Sequence, residues 1–184
     1  MSNMSSPSKY TCSVCGKEHT DWPAITWTSP HQFNVLTKED KERLAKIDSD
    51  LCVINHPDQT DRFIRCTLHQ QVADNYEDLD YGVWVSLSEK SFNDYVEHYN
   101  DNNHEGQYFG WLCNNIPPYE ETMSIPTTVR TRANGERPYV VPHQDHEHPF
   151  VHDFYNGISL QEAVRRVHES MDIDAANRRL EQEQ

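Results

Sequence analysis

The run Gly82-Val83-Trp84-Val85-Ser86-Leu87 constrains the fold more than any other segment of the chain. Val83, Val85 and Leu87 recur at every second position, so a strand here lines one face with apolar side chains that need a core to cover them. Ser88 follows at once and can cap a helix to about Tyr99, on which Phe92, Tyr95, Val96 and Tyr99 share a face. A strand feeding an amphipathic helix needs neighbouring strands, and the sequence supplies them. Leu51–Ile54 and Phe63–Leu68 read as strands around the turn-rich Asn55-His56-Pro57-Asp58, and Tyr108–Cys113 as another, ended by Pro117 and Pro118. Ser124–Arg132 and Tyr139–Val141 read as a hairpin about Ala133-Asn134-Gly135-Glu136, a strong turn signal.

Two further helices are expected. One runs from Thr37 to Ile47, with Thr37 and Asp40 in a box-like cap and few apolar positions, which places it on the surface. The other runs from Ser159 to Met171, with Ser159 and Glu162 as a capping box and Leu160, Ala163, Val164, Val167 and Met171 in one stripe. Strands that come mainly as neighbours, with helices interspersed, predict an α+β fold with a mainly antiparallel sheet and two or three helices. A chain of 184 residues suits one domain. The expected organisation is a disordered N-terminus over 1–9, a globular domain over 10–171 and a polar C-terminal tail over 172–184.

Charge narrows the partners. Thirty acidic against sixteen basic residues give a formal net charge of −14, which opposes binding to nucleic acid, where Lys and Arg clusters neutralise phosphates. Anionic membranes are disfavoured for the same reason. No apolar segment has the length of a signal peptide or a membrane span. Five cysteines, an odd number, suit a reducing compartment and a cytoplasmic location.

The most informative chemical motif is Cys12-Ser13-Val14-Cys15-Gly16-Lys17-Glu18-His19. Two thiolates two residues apart can grip one ion on a tight turn, and neutral imidazole at His19 can add a third ligand. Zinc favours such a sulfur and nitrogen set in tetrahedral geometry. The fourth ligand must come from elsewhere, with Cys52, Cys66, His146 and His148 as candidates; the alternatives are a pair of reduced cysteines on a loop and a redox pair, the latter disfavoured because no strand-to-helix setting lowers a thiol pKa here. A closed set of this kind stabilises a fold and activates no water. The second constellation is His143-Gln144-Asp145-His146-Glu147-His148-Pro149 with His152 and Asp153. Pro142 and Pro149 suggest an extended, solvated loop, and the spacing fits no helical metal motif. Cys66 and Cys113 fall in expected strands and read as core thiols. Trp84, Phe109, Trp111 and Tyr119 read as core more than as pocket lining. Arg130, Arg132 and Arg137 gather scarce positive charge near the hairpin, and a solvated hairpin explains them more simply than an anion site.

Several segments together resemble one bacterial family, domain-of-unknown-function family 2199. They are Cys12-x-x-Cys15-Gly16-x-x-His19, Asp50-Leu51-Cys52-Val53-Ile54, Phe63-Ile64-Arg65, Gly82 to Ser88, and Phe109-Gly110-Trp111-Leu112 with Pro117 and Tyr119. Arg137-Pro138, Asp145 with His148-Pro149, and Gly157-Ile158 complete the order. The resemblance implies a compact domain and favours Cys12, Cys15 and His19, with Cys52 or His148, as a shared site. The chain departs from the family pattern at Glu147, where Asp-His-Pro becomes Asp145-His146-Glu147-His148-Pro149.

With no convincing catalytic set and a strong negative charge, the expected function is non-enzymatic. It is an acidic immunity protein that neutralises a basic bacterial toxin by direct binding, with zinc as a structural ion. The alternatives are a small metal-dependent hydrolase using His143 to His152, and a zinc-stabilised interaction module with no toxin.

Overall fold

The computed structural model describes residues 10–11, 18–19, 23–73 and 77–182. The centre of the fold is the antiparallel pair β6 (Thr60–Gln70) and β7 (Leu79–Leu87), joined over eight residue pairs from Phe63↔Ser86 to Gln70↔Leu79. The alternation read from the sequence is present. Ile64, Cys66 and Leu68 of β6 and Tyr81, Val83 and Val85 of β7 are all at most 1% exposed and belong to one core.

Each of these strands is long enough to share its other edge between two neighbours. The second half of β7 pairs with β8 (Gln107–Leu112), which pairs with β9 (Pro126–Arg130), which pairs with β10 (Tyr139–Pro142). β10 then meets β6 in parallel at Tyr139↔Thr67, and the circuit β7–β8–β9–β10–β6 closes a mixed five-stranded barrel. The first half of β6 carries β5 (Leu51–Asn55) and, beyond it, β4 (Ala45–Ile47). The first half of β7 carries the short parallel strand β3 (Ile25–Thr26). β1 (Tyr10–Thr11) and β2 (Glu18–His19) pair separately. The expected antiparallel sheet is therefore mainly right, and the parallel joints β10–β6 and β3–β7 are the departures.

Five helices occur among the described residues, more than the two or three expected. α1 (His31–Asn34) is one turn long. α2 (Lys38–Leu44) starts where expected, with the Thr37 hydroxyl accepting from the Asp40 amide at 3.1 Å. It stops three residues short of Ile47, because Ala45–Ile47 leaves the helix to pair with β5. α3 (Glu89–Glu97) is capped by Ser88 as read, burying Phe92 and Tyr95 but leaving Val96 and Tyr99 about half-exposed. α4 (Pro149–Asn156) replaces the expected extended loop. Pro149 lacks an amide hydrogen that the first turn would leave unpaired anyway, so proline starts this helix instead of preventing it. α5 begins at Leu160 and continues past Met171 to Gln182.

α4 and α5 cover one end of the barrel. Phe150, Val151, Ile158, Ala163 and Val167 join the main core, and Arg166, 4% exposed, anchors α5. Its guanidinium donates to Tyr81 Oη at 3.1 Å, Tyr119 Oη at 2.6 Å and Glu162 at 2.8 Å, and Tyr119 donates to Asp153 at 2.5 Å. A buried charge needs such saturation to be tolerated. A second core on the opposite face of β6–β7 gathers Cys52, Ile54, Phe63, Trp84 and Cys113 under α1 and α2. No helix among the described residues is long and apolar enough to cross a membrane.

Gly110 seals the β7–β8 seam opposite Leu87. A Cβ there would lie 2.3 Å from Val85 Cγ1 and 2.8 Å from the Ser86 carbonyl oxygen, and backbone cannot give way cheaply. Gly110→Ala should cost about 1–3 kcal/mol in urea unfolding; an unchanged midpoint would show the seam to be looser than described.

Candidate functional site

The described residues that gather metal-ligand chemistry are Asp94, His98 and His104, each contributing one donor atom within 4.8 Å of the others. Asp94 lies on the last turns of α3, and His98 is the residue that ends it, so the pair shares one helix face four residues apart. The chain then turns back through 99–106 and returns His104 just before β8. The two imidazoles stack, with ring centroids 4.1 Å apart and planes 8° from parallel.

A hydrogen-bond relay fixes this arrangement. Tyr108, buried on β8, donates its hydroxyl proton to Asp94 Oδ2 at 2.7 Å and sits 2.8 Å from His104 Nε2. That hydroxyl has one proton, so His104 Nε2 is the donor in the second contact. His98 Nδ1 lies 2.9 Å from the Asp94 carbonyl oxygen, which only accepts, so this nitrogen also donates. Thr131 holds the loop from β9's end, accepting from the Gly106 amide at 2.7 Å and donating to the His104 carbonyl at 2.8 Å. The small size of Gly106 lets the two rings meet. A Cβ there would meet Tyr108 Oη at 2.4 Å and His104 Nε2 at 2.7 Å.

Electrostatics follow the same contacts. The Tyr108 hydrogen bond, followed by the two imidazoles, holds the Asp94 carboxyl below its ordinary value. The backbone carbonyl of Asp94 and then the nearby carboxylates raise His98. Burial and the bond to Asp94 push the Tyr108 hydroxyl up, so it stays protonated and a donor at neutral pH.

His98 and His104 line a cleft of about 310 Å³ whose other wall carries Asp50, Arg132 and Arg137. Both arginines are already answered. Arg137 donates to Asp50 at 2.6 Å, while Arg132 donates to Glu136 at 3.1 Å and to His69 at 2.5 Å. His69 in turn lies 2.6 Å from Asp80. Arg130 is elsewhere, in an open groove with His143 and Asp145.

The sequence-read zinc ligands fall differently. Cys12 and Cys15 lie outside the described residues, and His19 contributes backbone to β2. Cys52 is fully buried in the second core, and burial, followed by Asp48 and Cys113, pushes its thiol up to about 12. His148 caps α4, its Nδ1 accepting from the Phe150 amide at 3.0 Å and its Nε2 lying 2.8 Å from the Glu120 carbonyl oxygen. Among the described residues, the His143–His152 segment gathers no three-ligand group. Cys66 and Cys113 are core thiols, as expected. Phe109 and Trp111, expected in the core, are 49% and 46% exposed. The sequence reading missed the Asp94–His98–His104 group; its one local signal is the Asp-to-His spacing on α3.

Fold and site define an α+β barrel protein with a surface cleft able to hold a metal ion. The chain belongs to DUF2199, described as an uncharacterized protein conserved in bacteria, which it matches over residues 11–158. No curated protein and no solved structure matches the chain.

Because the Tyr108 hydroxyl is the largest influence on Asp94, Tyr108→Phe should raise the Asp94 titration midpoint toward the ordinary carboxylate range. A ¹³C NMR titration of the side-chain carboxyl reads this directly, and an unmoved midpoint would contradict the relay.

Proposed function

We propose that the protein is a non-enzymatic binding protein of the bacterial cytoplasm, an acidic immunity protein that neutralises a basic toxin. The observation that supports this best is the pair of half-exposed rings on the outer face of β8. Phe109 and Trp111 stand edge to face there at 4.9 Å, and His143 lies 5.5 Å from Phe109. Exposed aromatic pairs of this kind are favoured anchors at protein interfaces, where a few large side chains carry most of the binding energy. On a chain of net charge −14 they are framed by a field that draws in a cationic surface. The side-chain-filled core fits the same reading, since it leaves function to the outside of the barrel.

Zinc enters this reading as a structural ion gripped by Cys12 and Cys15, with His19 as a third ligand. The support is the ligand spacing in the sequence.

The test is co-expression with a basic protein encoded beside this chain. The reading expects a stable complex, protection of the cell, and an association rate that falls steeply with salt. Trp111→Ala should weaken the complex by about 30-fold, the scale of a 2 kcal/mol anchor, without changing the melting temperature. A chain that neither binds nor protects against such a neighbour, or a Trp111→Ala complex of undiminished affinity, would sink this reading.

A further inference from the structure

We propose that Asp94, His98 and His104 form a divalent transition-metal site of the open kind, whose remaining coordination positions face the cleft. The site does not depend on the binding role of the outer face, and uses none of its residues.

The donor set comes first. Two imidazoles and one carboxylate form a nitrogen-rich group of borderline softness, which suits Zn²⁺, Co²⁺ or Ni²⁺ better than the oxygen-seeking Ca²⁺ or Mg²⁺. The ring nitrogens that approach the Asp94 carboxylate are His98 Nδ1, 3.7 Å from Oδ1, and His104 Nε2, 3.5 Å from Oδ2. The same two nitrogens hydrogen-bond the Asp94 carbonyl and Tyr108, so an ion gripped here takes the place of those two contacts. Tyr108 still bonds the Asp94 carboxylate, the kind of outer partner that orients a ligand.

Size is compatible. Ligands about 2.1 Å from a tetrahedral ion lie about 3.4 Å apart, so donor atoms that all lie within 4.8 Å of one another need to close by at most about 1.4 Å. His98 and His104 have room to do so, since their side chains are 34% and 20% exposed. Three protein ligands leave at least one position for water or an exogenous donor, the arrangement of reactive zinc sites and not of structural ones.

The surroundings favour a cation. Glu136 and Asp50 answer the charge of Arg132 and Arg137, and Asp101 adds a further carboxylate to the cleft beside the histidines. Gly106 adds a separate sign of construction, because any side chain there would part His104 from Tyr108.

The test is a Co²⁺ titration of the full chain followed by visible and near-ultraviolet absorption. Thiolate ligation gives a sulfur-to-cobalt charge-transfer band and an imidazole–carboxylate site does not, so the two kinds of site are read separately. The expected result is one equivalent of Co²⁺ giving d–d bands that carry no charge-transfer partner. His98→Ala and Asp94→Asn should abolish that equivalent and leave any thiolate signal intact. Tyr108→Phe, which removes only an outer partner, should weaken binding by about 10- to 100-fold. Circular dichroism checks that each variant is folded, and Asp94→Asn keeps the side-chain shape if His98→Ala disturbs the end of α3. Cobalt bound only with a thiolate band, or d–d bands unchanged in His98→Ala and Asp94→Asn, would overturn the site.

Discussion

The ladder between β6 and β7 is the constraint on which the rest depends. Its eight residue pairs put Ile64 beside Val85, Cys66 beside Val83 and Leu68 beside Tyr81 on the inner face. The opposite face gives Phe63 and Trp84 to the second core. Because side chains alternate strictly, a one-residue slip would turn both sets to the wrong side. The same ladder leaves each strand's outer edge to be divided, β6 between β5 and β10, β7 between β3 and β8. Closure of the barrel follows from that division, since β8, β9 and β10 reach round from β7 to β6.

A barrel filled by its own side chains leaves chemistry to the connections and the outer surface. The connection from β7 through α3 to β8 is the one that matters most for the cleft. Ser88 fixes where α3 starts, Phe92 and Tyr95 press it onto the barrel, and its last turns deliver Asp94 and His98. Tyr108 then reaches from β8 to the same carboxylate, so helix and strand are joined through a polar contact at the rim. The aromatic face and the metal-capable cleft are thus separate features of one scaffold, each depending on β8 for one side chain or more.

Legibility in the sequence followed the range of the physical signal. Caps at Thr37 and Ser88 and the alternation of Val83, Val85 and Leu87 are local, and each was readable. So was the Asn134-Gly135 turn, where both residues take positive φ. The parallel joint Tyr139↔Thr67 was not, because nothing near either residue marks a partner more than seventy positions away. On β8, Tyr108, Gly110 and Leu112 alternate with Phe109 and Trp111, so both phases look apolar. The choice fell to Gly110, whose close approach to β7 puts its phase inside and turns the two large rings out. Ala45 to Ile47 reads equally as a last helical turn or an edge strand until β5 is known to lie beside it. The cleft group was half visible, as Asp94 and His98 on one helix face, while His104 joins them only through a loop whose path depends on Gly106 and Thr131.

A rigid β6–β7 ladder that carries a metal-responsive rim, formed by the end of α3 and the loop to β8, has a signature in backbone dynamics. Hydrogen exchange of the full chain with and without Zn²⁺ reads it amide by amide. Amides of 64–68 and 81–85 should exchange only through global unfolding and slow with Zn²⁺ by no more than the global stabilisation that binding confers. Amides of 98–106 should exchange through local opening and slow selectively when Zn²⁺ is added. Fast exchange in the ladder, or a rim that Zn²⁺ leaves unchanged, would contradict it.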